Sequence, residues 1–333
     1  MTVQPAKLTA LIALLASVAT PFSDSAQAAV LRPEPASRTA TLLLTQTQTA
    51  PIDRLLKEGN ALLDEGKSEQ ALSLFKQALD ADAKNVQAWI GQGTAFYSLE
   101  QYGEAIAAYK RATELDSRSV AGWVGLGNAL DDSKQPEDAL QAYDKALKID
   151  ANDANVWYNR GVTLGRLRRY QDELAAYDKA IRLQPAYGSA WYNRGIVLAK
   201  LQRYPEALAS YDQAVKIAPD RSDTWINRGN VQFDLKRYQD AVKSYDQAIV
   251  LQANNEDAWF NRGIALAHLK RYQDAIASFE KTLKINPNNA DPRKPRCPTQ
   301  ASRATESGRC ISAWQKVLTT CDRGNNANLI AIF

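Results

Sequence analysis

The 333-residue sequence predicts an all-α fold, a stacked array of helix pairs. Three observations carry this. Tryptophan returns at 89, 123, 157, 191, 225 and 259, always 34 residues apart. A glycine follows each tryptophan four residues later, and an aromatic residue follows twenty later, from Tyr109 to Phe279. Between these marks the apolar residues fall at steps of three and four, the spacing of one helical face.

The first helix of each unit is built on Trp, Gly and an apolar residue three further on, as in Trp157, Gly161 and Leu164. Glycine there admits a second helix closely, at about 1 kcal/mol of helix propensity relative to alanine. The second helix offers Tyr170, Leu174, Tyr177, Ala180 and Ile181. Clusters such as Pro219-Asp220-Arg221-Ser222 separate the units and are expected to cap helices. One pair cannot bury its apolar faces alone, so neighbours must stack. The recurring Trp, Gly, Ala, Tyr/Phe, Ala and Pro over 52–289 resemble the tetratricopeptide repeat. The resemblance implies a right-handed α-solenoid, a superhelix of antiparallel helix pairs with a concave groove. Seven repeats are expected at 52–85, 86–119, 120–153, 154–187, 188–221, 222–255 and 256–289.

The ends read differently. Residues 1–28 have the form of a secretory signal: Lys7, an apolar run from Leu8 to Ala19, then Ala26-Gln27-Ala28 before the expected cleavage. An exported protein of the periplasm or cell envelope follows, with no transmembrane span in the mature chain; an uncleaved N-terminal anchor is the other reading of this segment. Residues 29–51 read as a linker. The first repeat has Leu55 in place of tryptophan, as suits a terminal unit with one face in water. Residues 290–333 form a basic tail holding Cys297, Cys310 and Cys321. Cys310–Cys321 is one conceivable disulfide outside the cytoplasm. Two positions break the pattern. Gln232 stands where a large apolar residue belongs, and Glu173 where most repeats carry alanine. Glu173 is expected to reach out to water or to Arg160.

Little in the repeats suits catalysis, so no enzyme, cofactor or metal site is expected. His268 is the only histidine, and no cysteine lies within 52–289. A net charge of +4 is too small to argue for nucleic acid.

The resemblance places the first helices along the groove. The groove residues are then Tyr158, Asn159 and Arg166; Tyr192, Asn193 and Lys200; Asn227 and Asn230; Phe260 and Asn261. Asparagines 159, 193, 227 and 261 make a row, similar to the asparagine ladder of protein-glycosylating transferases, although no transferase domain is present. An amide offers a donor and an acceptor, which suits an extended peptide or partner protein. A glycan stacked on Tyr158, Tyr192 and Phe260 is the alternative. Arg166 and Lys200 are expected to make the middle basic, and Asp223, Asp234 and Asp257 the far end acidic. The lysine-rich clamp of chaperone-tail binders is missing: Gln87, Ile90, Ala121 and Val124 stand at its places. Arginines 160, 194, 228 and 262 form a second row, expected to pair with carboxylates of neighbouring repeats.

Overall fold

The computed structural model describes residues 51–286. Among them are fourteen helices and no strand. They are α1 (51–64), α2 (Ser68–Ala81), α3 (Val86–Ser98), α4 (Tyr102–Leu115), α5 (Val120–Asp132), α6 (Pro136–Ile149) and α7 (Ala154–Arg166). Then come α8 (Tyr170–Leu183), α9 (Gly188–Lys200), α10 (Tyr204–Ile217), α11 (Ser222–Asp234), α12 (Tyr238–Leu251), α13 (Glu256–His268) and α14 (Tyr272–Ile285). The signal-like segment and the cysteine-containing tail lie outside the described residues. The chain divides into two compact units, 1–167 and 168–333.

Within each unit consecutive helices pack on one another, which makes the fold an all-α solenoid. The first helices of successive pairs also touch: α3 with α5 and α5 with α7, then α9 with α11 and α11 with α13. Within each unit the first helices therefore form one layer and the second helices the other.

The glycine and the aromatic residue interlock. In the first unit the Phe75 ring lies against Gly59 and Gly91, and the Tyr109 ring against Gly93 and Gly125. A methyl at Gly91 or Gly125 would stand 2.3 Å from a ring carbon. In the second unit Tyr211, Tyr245 and Phe279 press in the same way on Gly195, Gly229 and Gly263.

Tryptophan has a polar task besides its packing. Each indole Nε1–H donates to the carbonyl six residues earlier: Trp89 to Ala83 at 2.9 Å, Trp123 to Ser117 at 3.0 Å, Trp157 to Ala151 at 2.9 Å. Trp191, Trp225 and Trp259 do the same to Pro185, Pro219 and Ala253 at 2.8–2.9 Å. The carbonyls between repeats, which helix ends leave without a partner, are satisfied this way.

The turn inside each pair is a left-handed cap. Gly66 has φ +74°, and at the same register Glu100, Lys134, Arg168, Gln202, Lys236 and Lys270 have φ between 57° and 65°. After six of these caps the N–H reaches back five residues, as in Gln101 to Phe96 O (2.9 Å) and Arg237 to Gln232 O (2.8 Å). That closes a Schellman motif. Only the first of seven such turns uses the residue that favours this conformation.

Three expectations change. Asn85, Ser119, Asp153 and Asn255 do cap their helices, but the Pro219–Ser222 stretch does not. Arg221 stands at that N-cap without a side-chain bond; its guanidinium lies 4.6 Å over the Tyr192 ring instead. Glu173 does not reach water: it is 5% exposed. Among the described residues its Oε2 has no hydrogen-bond partner, and Arg160 pairs with Asp144 instead. Burial raises the Glu173 pKa, opposed by the charge of Lys200 and a hydrogen bond with Tyr177. Gln232 is 1% exposed yet satisfied. The orientation that serves every partner has its nitrogen donating to Ser244 Oγ (2.7 Å) and Asp240 O (3.0 Å), with its oxygen accepting from Arg228 Nη1 (3.2 Å).

Candidate functional site

The arginine row is a set of joints between repeats. Arg160 Nε donates to Asp144 Oδ1 at 2.9 Å in the first unit. In the second, Arg194, Arg228 and Arg262 donate to Asp178, Asp212 and Asp246 at 2.6–2.7 Å. Their Nη1 atoms reach Ser210, Ser244 and Ser278 at 2.6–2.7 Å. Each guanidinium also lies over the tryptophan of its own helix, at 5.6–5.7 Å. These arginines are consumed by the fold.

Asn159 in the first unit and Asn193, Asn227 and Asn261 in the second are half-buried on first helices. In the first unit Asn159 Nδ2 donates to Asn128 Oδ1 (3.1 Å), which also accepts from Tyr143 Oη (2.7 Å). In the second unit Asn261 Nδ2 donates to Asn230 Oδ1 (3.1 Å), which accepts from Tyr245 Oη (2.9 Å). Asn227 Nδ2 donates to Tyr192 Oη at 3.0 Å. One donor of each of these three amides is therefore turned inward, and the row is not wholly available to a ligand as the sequence suggests. The bonds also fix each amide in one orientation, leaving Asn159 Oδ1 and Asn261 Oδ1 as acceptors. The row is absent upstream for a steric reason. Gly91 and Gly125 occupy its register, and the Phe75 and Tyr109 rings fill the space a side chain would need.

The flanking residues are less uniform than expected. Arg166 does not simply make its region basic. Its Nη1 donates to Asp131 O at 2.7 Å, and its Nη2 lies 3.3 Å from Asp132 Oδ1. Lys200 is exposed, with Nζ 5.4 Å from the Tyr170 ring centre. Tyr158 and Tyr192 are half-buried. Phe260 is a correction: it is 5% exposed and its ring packs on Phe279 at 5.9 Å. A ring so placed has no face for a sugar.

Sequence reasoning missed Asn128, Tyr97 and Asp132. Tyr97 Oη donates to Asp132 Oδ2 at 2.5 Å. The signal was present in the register, because Asn128 stands three repeats before Asn230 and Asp132 three before Asp234. It also missed the ring cluster of Phe233, Tyr238 and His268. There His268 stacks on Tyr238 at 4.6 Å and meets Phe233 edge-on at 5.1 Å. Among the described residues no group of three or more His, Cys, Asp and Glu could hold a metal ion. No described helix is long and apolar enough to cross a membrane.

Helix pairs stacked within each unit through a repeated set of contacts define a helical-repeat scaffold. The tetratricopeptide repeat model matches residues 56–120, 91–154, 124–187, 158–222 and 226–290, and the chain belongs to that family. Its fold suggests a scaffold for protein–protein interaction, and proteins of the family are generally not enzymes. The C-terminal part of a TPR repeat-containing protein from Cytophaga hutchinsonii is similar, with a TM-score of 0.61 and 15% identity, over 71% of this chain and 96% of that one. PilF of Pseudomonas aeruginosa gives 0.53 at 20% identity, over 61% and 93%. YrrB, described as a TPR protein with an unusual peptide-binding site, gives 0.50 at 23% identity, over 55% and 95%. At these identities the likeness is one of fold. No curated relative matches the chain.

Proposed function

We propose that the protein is an exported scaffold that holds an extended peptide or partner protein on its first helices. The observation that supports this is the fixed orientation of the row amides. Asn159 and Asn261 are held by Asn128 and Asn230, and Asn227 by Tyr192. Amides locked before a ligand arrives lose little side-chain freedom on binding. An extended peptide presents a donor and an acceptor at every residue, so such a row reads backbone rather than sequence.

The test is Asn193→Ala combined with Asn227→Ala, measured by calorimetry against a partner captured by cross-linking from native cells. Each lost hydrogen bond removes about 0.5–1.5 kcal/mol, so affinity is expected to fall roughly five- to hundredfold with helicity unchanged. Unchanged affinity would take the row out of the mechanism. Export is part of the same proposal. The mature chain would begin at Ala29, and an N-terminus at Met1 or Thr2 in native material would exclude it.

A further inference from the structure

Two stretches, three repeats apart, carry the same polar arrangement. In the first unit Tyr143 and Asn159 converge on Asn128 Oδ1. One helical turn beyond Asn128 stands Asp132, which accepts from Tyr97 Oη and faces the Arg166 guanidinium. The same guanidinium takes the Asp131 carbonyl at the end of α5. In the second unit Tyr245 and Asn261 converge on Asn230 Oδ1 with matching distances. One turn beyond Asn230 stands Asp234. From there the two differ. His268 is at the register of Arg166, Ala199 at that of Tyr97, and Phe233 at that of Asp131. The His268 ring is stacked on Tyr238 and turned edge-on to Phe233. Among the described residues no salt bridge reaches Asp234. Among the described residues, the carboxylate that a guanidinium covers in the first unit meets no cation in the second.

We propose that Asp234, together with the Phe233 carbonyl, receives the guanidinium of an arginine side chain from a bound peptide, in the place that Arg166 takes at Asp132. This rests on the reading of the first helices as a peptide-binding face, and it names one residue the peptide must bring. The carbonyl is suited to the task. Phe233 O accepts the Lys236 N–H (2.8 Å), as Asp131 O accepts the Lys134 N–H (3.1 Å). Arg166 shows that such a carbonyl still takes a second donor. The C-terminal end of a helix favours a positive charge, and α11 has no basic residue in its last turn. Arginine is preferred to lysine because its planar fork serves two acceptors at once and stacks on rings such as Phe233 and Tyr238. Burial holds the Asp234 carboxyl above its ordinary pKa. The residue is nevertheless exposed, so an incoming guanidinium can reach it.

The experiment uses the isotopically labelled full chain and two nine-residue glycine-serine peptides, one with a central arginine and one with glycine in its place. Side-chain amide signals of Asn230 and Asn261 are followed by nuclear magnetic resonance. The arginine peptide is expected to bind about tenfold more tightly and to shift those signals. Asp234→Asn is expected to erase the preference. His268→Arg is expected to erase it too, by supplying an internal guanidinium as Arg166 does; circular dichroism shows that each variant is folded. Equal binding of the two peptides, or an arginine preference that survives Asp234→Asn, would overturn the proposal and leave the peptide-binding face standing. Failure of both peptides to bind would remove the face and the arginine site together.

Discussion

Arg228 on α11 donates to Asp212 on α10 across 2.7 Å, so a residue of the sixth repeat is tied to the fifth. The aspartate side chain is 45% exposed and the arginine 23%. The ion pair alone is therefore worth little, about 0.2–1 kcal/mol. The arginine does more, since it also serves Ser244, Gln232 and the Trp225 ring.

That imbalance gives the first prediction. Arg228→Ala is expected to destabilise by about 2–3 kcal/mol, because it takes one of two partners from the buried Ser244 hydroxyl and leaves the buried Gln232 oxygen unpaired. Asp212→Ala is expected to stay below about 1 kcal/mol. Urea denaturation of both variants and of the double mutant checks this. Equal single effects would show that the pair, and not the buried network, carries the joint.

A second prediction concerns the left-handed turns. Lys236 has φ +60° and is exposed. Lys236→Gly is expected to stabilise by about 1 kcal/mol, as glycine adopts this conformation without steric strain. Gly66→Ala is expected to destabilise by a similar amount. A fall in thermal midpoint on Lys236→Gly would mean that the lysine side chain holds something its turn requires.

The third prediction turns on pH. Burial raises the Glu173 pKa above its ordinary 4.5. The protonated acid thus suits the fold, and its contribution is present below 4.5 and lost as pH rises through the raised value. At neutral pH the buried carboxylate opposes folding. Glu173→Ala is expected to raise stability there by about 1–3 kcal/mol, with the gain shrinking as pH falls towards 4.5. A gain that is constant with pH would point to packing and not charge.

The fourth tests the interlock of glycine and ring. A methyl at Gly229 would lie 2.6 Å from Tyr245, whose hydroxyl is tied to Asn230. Gly229→Ala is expected to destabilise by about 1–3 kcal/mol despite its better helix propensity. Adding Asn230→Ala, which frees the Tyr245 ring to move, is expected to give a loss smaller than the sum of the two single changes. Strict additivity in differential scanning calorimetry would show that the ring is not held by that bond.

The solenoid was legible because its marks are spaced by covalent distance. Trp157, Gly161 and Leu164 name a helical face without any tertiary knowledge. The arginine joints were legible too, since Arg160 and Asp144 recur together. The candidate site was less so. Whether Asn159 faces a ligand or Asn128 depends on side-chain rotation, which spacing does not encode. Phe260 and Tyr192 share a register, yet one is buried and the other half-buried. Glu173 misled for the converse reason: a carboxylate is rarely buried, and here it is buried.

The arginine joints have a bearing on how such a chain changes length. Each links residues only 16 apart, and the amide pairs only 31 or 35 apart. No described joint reaches beyond the adjacent repeat. Excision of 188–221 would bring Arg228 opposite Asp178 instead of Asp212, and both are aspartates at the same register. A gene for this protein can lose or duplicate a 34-codon block in frame and still encode matching partners on both sides of the seam. The interior is then interchangeable stock for recombination, whereas Gly91, Gly125 and Asp234 mark blocks that are not equivalent and whose loss would alter what the surface offers.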